Sequence, residues 1–465
     1  MLRSVEISEA CGFGGDHCLA PSRAGDIPVD APVEGASDRY ERMFPDLPPL
    51  VGEGDALLAL GVAGGVCDGG ESCEDASETA AGWPLFGQFI AHDITADRAP
   101  LGDEPSDLVN ARSPTADLDS LYGSGQIGSP YLYRRDDPAM LLLGRNDRGE
   151  EADVPRNAEG VALIGDPRND VHVVVSQLHV AMIKAHNRLV ELARERGVSG
   201  SDVFETAQRE TIWHYQWVIV NDYLPRLVGP ELVESVLAQG PRFYRPNGVP
   251  RIPLEFADAA FRYGHSQVRD SFQLNSRAPA LRLFPDLIGF RPVPAELAIE
   301  WSQLFDLDGA APAQRAKLID GQLARSLIEL PAAITGEVEV EAYQSLAGRD
   351  LERGHSYGLP SGEAVAAAMG ETPLDDDPVG LRAAGWTGET PLWLYFLAES
   401  ASRGDGERLG PSGGRIVAEV LIGILKADAG SYLANEPDWS PTLPARNWRF
   451  GLTDLLLATE RQPTR

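Results

Sequence analysis

Lysine is scarce in this 465-residue chain: Lys184, Lys317 and Lys426 are the whole set, and arginine supplies the rest of the 40 basic side chains. Acidic residues number 70, so the formal charge is -30. Such a surface repels phosphate backbones and anionic membranes, which argues against nucleic-acid binding. Long apolar runs are also lacking. "VHVVVSQLHVAMI" is among the longest and is interrupted by polar residues, so no transmembrane segment is expected. The opening "MLRSVEISEACGFGGDHCLAP" has no apolar core of the kind a secretory signal needs, and a cytoplasmic protein is expected. Cysteine is limited to Cys11, Cys18, Cys67 and Cys73, without CxxC spacing. Short-loop disulfides or plain thiols suit that pattern better than a zinc site drawing on His17. No P-loop is present; "GPSGGRIVAEVLIGIL" lacks the Lys-Ser/Thr pair and reads as an ordinary helix start.

Helical periodicity dominates what remains. Residues 171–196, 202–224, 313–330, 362–369 and 415–427 carry apolar side chains at helical spacing. Strand-like alternation is rare, and "GEVEVEAY" is a short, ambiguous case. Residues 1–50 are rich in Gly, Pro, Asp and Ser and read as an irregular arm. Residues 51–465 read as one mainly α domain held by long loops, with few short strands.

Four stretches carry chemistry. In "GWPLFGQFIAHDITADRAP", residues 82–100, His92 directly precedes Asp93, and Gln88 lies one helical turn earlier. Adjacent side chains on a helix diverge by about 100°, so His92 and Asp93 face different sites while Gln88 shares the face of His92. In "SPTADLDSLYGS", residues 113–124, oxygen-bearing Ser113, Thr115, Asp117 and Asp119 alternate. Hard oxygen ligands at that spacing suit Ca²⁺, although the pattern is not an EF-hand and a solvated acidic loop would look the same. In "FRYGHSQVRDSF", residues 261–272, His265 follows Arg262. A buried imidazole there could ligate iron if its other N–H finds an acceptor, and Arg262 could pair with a carboxylate of a large anionic cofactor. In "SQLHVAMIKAHNRLV", His179 and His186 share roughly one helix face, but HExxH spacing is absent and core histidines fit better.

Together these stretches resemble the animal-type haem peroxidases of the peroxidase–cyclooxygenase superfamily, in a bacterial-type form. "FGQFIAHDIT" is similar to the distal-histidine motif. "DPRNDVHVVVSQLHVAMIKAHNRLV" is similar to the helix of the catalytic arginine, and "FRYGH" to the proximal-histidine motif. "SPTADLDSLYGS" resembles the family calcium loop, and "SLAGRDLERGHSYGLP" stands where the family has Asn-x-x-Arg before Gly-Leu-Pro. The motifs run in family order across residues 82–360; nothing before or after them carries the resemblance.

The resemblance implies roles for named residues. His92 would be the distal acid–base, Arg168 would stabilise charge on the leaving oxygen, and Gln88 would hold water, peroxide or halide. His265 would be the proximal iron ligand, with Arg262 and Arg353 facing the haem propionates. Asp93, Ser113, Thr115, Asp117 and Asp119 would ligate a structural Ca²⁺. Asp350 falls where the family has an asparagine beside the proximal histidine, and a carboxylate there gives the imidazole more imidazolate character. Ala91 and Val171 replace the carboxylates that tether haem through esters in mammalian members. His172 replaces the methionine that myeloperoxidase joins to a vinyl group. Non-covalent haem b is therefore expected, and chloride oxidation is not. The implied activity is reduction of hydrogen peroxide through a ferryl intermediate, with halide, pseudohalide or organic donors, in the response to oxidative stress. A fatty-acid dioxygenase would need a radical tyrosine three residues before His265, where Arg262 stands. A biosynthetic tailoring oxidase and a non-catalytic haem-binding protein are the other readings, the last disfavoured by the His92–Arg168 pair.

Overall fold

Apolar spacing at the helical period becomes nine helices of eight residues or more among the described residues of the computed structural model. The structure describes residues 39–52, 54–70, 77–96, 108–246, 248–338, 340–377 and 379–458. In chain order the long helices are α1 (Gly54–Gly61), α2 (Gly82–Ile94), α3 (Val173–Glu195), α4 (Asp202–Val218), α5 (Pro230–Gln239), α6 (Leu346–Ser356), α7 (Gly362–Met369), α8 (Leu392–Arg403) and α9 (Pro411–Ala427). Short turns and loops fill the rest. One two-residue antiparallel pair, Ser271–Phe272 with Leu281–Arg282, forms the sheet.

The site is built where α2 packs on α3. Every residue of α2 except Gln88 is buried, so α2 runs through the core rather than over it. Pro84 sits in its first turn, where a missing N–H costs nothing. Helix α3 packs in turn on α4. Its N-cap is His172, whose Nδ1 accepts from the Val175 N–H at 3.2 Å. Helix α4 passes directly into a π-helical turn, Ile219–Tyr223, before Pro225. Ser345 and Ser361 cap α6 and α7 in the ordinary way, by accepting from the N–H groups of Gly348 and Ala364.

Two expectations from the sequence need correction. Residues 313–330 are helical only over Arg325–Ile328. The segment instead bridges to another chain segment: Ala80 pairs with Arg315, and Asp68 with Leu323. Lys317 N–H donates to the Gln267 carbonyl at 3.0 Å. Backbone partners elsewhere in the fold thus outweigh local propensity. The arm is also shorter than residues 1–50. Residues 39–50 are fastened to the helical body, where Glu255 accepts from the N–H groups of Met43 and Phe44 at 2.9 and 3.1 Å. The ambiguous stretch near 336–343 is no strand; a 3₁₀ turn forms at Glu341–Gln344. Cys67 is a buried free thiol. Cys11, His17, Cys18 and Cys73 lie outside the described residues.

Candidate active site

A small, largely enclosed cavity opens between α2, the start of α3 and the segment around His265. Gln88, Ala91, Val171 and His172 border it on one side, and Arg262, Tyr263 and His265 on the other. Phe261, Val268, Leu283 and Phe284 give the wall an apolar character. Helical spacing explains the first side: Gln88 and Ala91 are three residues apart on α2. The Gln88 side chain accepts from His172, Oε1 to Nε2, at 2.9 Å. Because His172 Nδ1 accepts from Val175, Nε2 carries the proton. His172 is thus both the cap of α3 and a cavity residue, a double use that no motif announces.

His92 and Arg168 stand immediately behind this wall rather than on it. His92 Nδ1 donates to Asn169 Oδ1 at 2.9 Å, and the Asn169 amide nitrogen reaches His179 Nδ1 at 3.2 Å. One amide therefore orients two buried imidazoles. Burial, then the nearby Arg168 charge, pushes the His92 pKa down to about 3, so the ring is neutral. Arg168 takes partners other than the cavity. Its guanidinium donates to Asp166, with Nη2 to Oδ2 at 2.8 Å, and to the carbonyls of His92 and Thr95 at 3.0 and 2.6 Å. Burial opposes ionisation of Asp166, but Arg168 overcomes it and holds that carboxyl well below the usual range. Asn169, Asp166 and the role of His179 were not legible as site residues. The one signal was their position beside Arg168 and on its helix.

On the opposite side, His265 Nδ1 meets Asp350 Oδ2 at 2.6 Å. The other Asp350 oxygen accepts from Arg262 Nη1 at 2.8 Å. Arg262 Nη2 then donates to Asp258 Oδ1 at 2.6 Å, and its Nε to the Ala257 carbonyl at 3.1 Å. His265, Asp350, Arg262 and Asp258 form one hydrogen-bonded chain whose last three members are buried. This corrects the expectation for Arg262: it borders the cavity, yet its donors are given to two carboxylates rather than turned toward a propionate. Arg353 lies close by on α6 but does not border the cavity. It donates to the Tyr357 hydroxyl and covers that ring, 5.3 Å from its centroid. Four residues along one helix separate the two, which brings them face to face.

Asp93 points away from the cavity, as its place after His92 requires. Its carboxylate oxygens lie within 4.8 Å of those of Asp117 and Asp119. Asp93 accepts from the Leu118 N–H at 3.1 Å and the Ser120 hydroxyl at 2.9 Å. Ser113 and Thr115 join the group: their hydroxyls are 2.6 Å apart, and Thr115 donates to Asp117 at 2.9 Å. Leu118 adopts φ 59°, a left-handed conformation that costs a branched side chain about 1–3 kcal/mol. That turn lets Asp117 and Asp119 converge on Asp93. Burial, then the neighbouring Asp119 and Asp117, raises the Asp93 carboxyl well above the usual range. Asp119 is raised to about 7, by burial first and by Asp117, against the lowering effect of Arg112. Asp93, Asp117 and Asp119 thus converge, and Ser113 and Thr115 are linked to them through Asp117.

Comparison with known proteins gives the same outline. Residues 95–285 match the animal haem peroxidase family model. Heme peroxidase 2 of Caenorhabditis elegans is 35% identical over 182 residues, covering 35% of this chain and 25% of that protein. Chorion peroxidase of Drosophila melanogaster is 25% identical over 286 residues, covering 58% of this chain and 34% of that protein. The chain therefore spans about a quarter to a third of the length of these relatives. Among solved structures, peroxidase A of Dictyostelium discoideum superposes with a TM-score of 0.64 at 16% identity, over 86% of this chain and 89% of that one. A fatty acid alpha-dioxygenase of Oryza sativa superposes with a TM-score of 0.61 at 14% identity, over 85% and 76%. These likenesses share the helical fold. The match to the animal haem peroxidase family covers residues 95–285, the stretch that holds Arg168 and His265.

Proposed function

We propose that this chain is a haem-dependent peroxidase that reduces hydrogen peroxide and recovers the electrons from small donors, either halides and pseudohalides or organic reductants. His265 carries the reading: its Nδ1 is committed to Asp350 at 2.6 Å while the ring borders an apolar cavity. That leaves Nε2 for haem iron, and a carboxylate-backed imidazole is a strong donor to ferric iron. The residues fit the group: His265 would supply one nitrogen ligand in a fixed tautomer, between apolar walls from Phe261, Val268, Leu283 and Phe284. When bound, haem supplies the redox centre from which peroxide takes two electrons.

The chain's own residues would manage the protons. His92, neutral at physiological pH, can accept a proton from one peroxide oxygen and return it to the other. Asn169 holds its Nδ1–H, which makes Nε2 the basic nitrogen. Arg168 keeps positive charge beside His92, which disfavours imidazolium and favours negative charge on the departing oxygen. Gln88, oriented by His172, would hold water, peroxide or halide, and peroxide would reach His92 once Gln88 releases His172. Haem would be non-covalent, because Ala91 and Val171 on the cavity wall carry no carboxylate. The Asp93 cluster would bind Ca²⁺ as a structural ion. A dioxygenase reading is not favoured, since Arg262 occupies the radical-tyrosine position and is paired with Asp258 and Asp350.

The test is reconstitution with haem followed by rapid mixing with peroxide. A Soret band and its peroxide-dependent shift are expected. His265→Ala should lose haem, whereas His92→Ala should keep haem and react with peroxide about 10²–10⁴-fold more slowly. A protein that takes up no haem, or a His92→Ala variant with unchanged peroxide kinetics, would refute the reading.

A further inference from the structure

Tyr263 borders the cavity two residues before His265. Its hydroxyl lies 2.7 Å from that of Tyr223, inside a region otherwise filled by aromatic rings. Both rings are buried, and burial pushes the ionisation of both phenols upward. Gly87 makes room for the pair, since a Cβ there would stand 2.5 Å from the Tyr223 hydroxyl oxygen. The Tyr223 ring is 6.4 Å from the Trp83 ring, centroid to centroid. Trp83 keeps 7% of its surface exposed, and the Arg226 guanidinium covers its face at 4.6 Å. Arg226 is itself half-exposed and paired with Asp222 at 2.8 Å. Tyr263, Tyr223 and Trp83 therefore form a row of oxidisable side chains from the cavity wall to a ring just beneath the half-exposed Arg226.

Packing alone does not ask for this row. Two phenylalanines would fill the same core without desolvating two hydroxyls, and replacing both partners of a buried pair is often nearly neutral. The π-helical turn Ile219–Tyr223 places Tyr223 against Gly87, and such turns concentrate at functional sites. We propose that the row conducts electrons from Trp83 to the cavity, giving the protein a second oxidation site for phenolic donors too large to enter. The inference rests on the peroxidase reading.

The step balances. Hydrogen peroxide takes two electrons and two protons and becomes two waters. Each electron leaves the Tyr263–Tyr223 pair toward the cavity while the shared hydroxyl proton shifts along the 2.7 Å hydrogen bond. An electron from Trp83 refills the pair and the proton returns. A phenol at the surface then reduces Trp83, becomes a phenoxyl radical and releases its proton to solvent. Two phenols are consumed per peroxide. A cation on the Trp83 face disfavours loss of an electron, and the Asp222 carboxylate offsets that charge.

The experiment compares iodide, which enters the cavity, with tyrosine-bearing dextran, which does not, in wild-type holoenzyme, Trp83→Phe and Tyr223→Phe. Both variants should keep iodide oxidation and lose most turnover of the dextran. A second readout needs no donor. After peroxide alone, a nitroso spin trap and peptide mapping should find an adduct on the Trp83 peptide, and Tyr223→Phe should abolish it. Unchanged dextran turnover in both variants, or no adduct on that peptide in wild type, would overturn the relay while leaving the peroxidase reading intact. Failure of the wild-type holoenzyme to oxidise iodide with peroxide would overturn the peroxidase reading, and the relay with it.

Discussion

Three carboxylates whose oxygens lie within 4.8 Å of one another are poorly matched to an empty site. At an effective dielectric of about 20, each fully ionised pair at that spacing repels by about 3.5 kcal/mol, so the trio would cost about 10 kcal/mol. Arg112, 3.3 Å from Asp119, offsets only part of this. The alternatives are a bound cation or a bound proton. Asp119, with its carboxyl raised to about 7, holds a proton below that pH in the absence of metal. Ca²⁺ needs the carboxylates ionised and must displace it. Displacing the Asp119 proton alone lowers apparent affinity about tenfold per unit as pH drops below 7, and the raised Asp93 adds to the fall. Between pH 7 and 5 the Asp119 part is about a hundredfold, or about 2.7 kcal/mol. The assay is calorimetric titration of chelator-treated protein at pH 6 in two buffers of different ionisation enthalpy. At least one proton per Ca²⁺ should appear as a buffer-dependent heat, and Asp119→Asn should reduce it. Stability carries the opposite signature without metal. A carboxyl raised in the folded state stabilises at low pH and loses that contribution as pH rises through its folded value. In chelator the melting temperature should fall from about pH 4 to 7, and saturating Ca²⁺ should lessen that fall. Equal heats in both buffers, together with pH-independent affinity, would show that the cluster is a solvated acidic turn.

Further outcomes follow from the proximal side, the cavity wall and the buried histidines. Asp350→Asn should weaken donation through His265 and raise the haem reduction potential, read by spectroelectrochemistry. It should also destabilise the fold by about 3 kcal/mol, because Arg262 loses one of its two buried partners; an unchanged potential and melting curve would contradict this. Acidified organic solvent should extract intact haem from the holoprotein, as Ala91 and Val171 offer no ester; haem retained on the polypeptide would refute non-covalent binding. His186 is pushed down to about 4 by burial, so the folded ring stays neutral while the unfolded one protonates below about 6.5. Its contribution is complete above about 6.5 and falls by about 1.4 kcal/mol per unit as pH drops toward 4. Urea unfolding at pH 7, 6 and 5 should show a shallower acid limb for His186→Gln by about one proton; a parallel limb would count against a neutral buried ring.

Residues whose roles follow from local spacing were readable before the fold was known. That Gln88 and His92 lie one turn apart on α2 with Asp93 turned elsewhere follows from helical geometry; that Gln88 borders the cavity while His92 stands behind its wall does not. The alternating oxygens of 113–119 converge because a short loop keeps them local, with Leu118 supplying the turn. Long-range partners were not readable. Asp258 lies four residues before Arg262, which is visible, but that Arg262 would join it to Asp350, 88 residues away, depends on how α6 packs. Arg168 was expected to face the cavity. Its commitment to Asp166 and to two carbonyls of α2 depends on the contact between α2 and the turn before α3. Residues 313–330 failed for the same reason in reverse, since partners distant in sequence replaced the local helical hydrogen bonds.

One short segment joins the two sites. The last turn of α2 is held from one side by Arg168, which binds the carbonyls of His92 and Thr95, and from the other by Asp93, which accepts from Leu118 and Ser120. His92 lies between these anchors, flanked by Ala91 of the cavity wall and Asp93 of the carboxylate cluster. Loss of the cation would charge or protonate Asp93 differently and free the loop that grips it, while Arg168 would still hold the carbonyl side. The imidazole would then keep its burial and its bond to Asn169 but lose the restraint on its own helix. On that basis the acidic loop of residues 113–119 would act on His92 as a positioning element, although none of its residues borders the cavity. Chelation is accordingly expected to slow the peroxide reaction at chelator levels that leave haem bound through His265, whose supports Asp350, Arg262 and Asp258 share no residue with the loop.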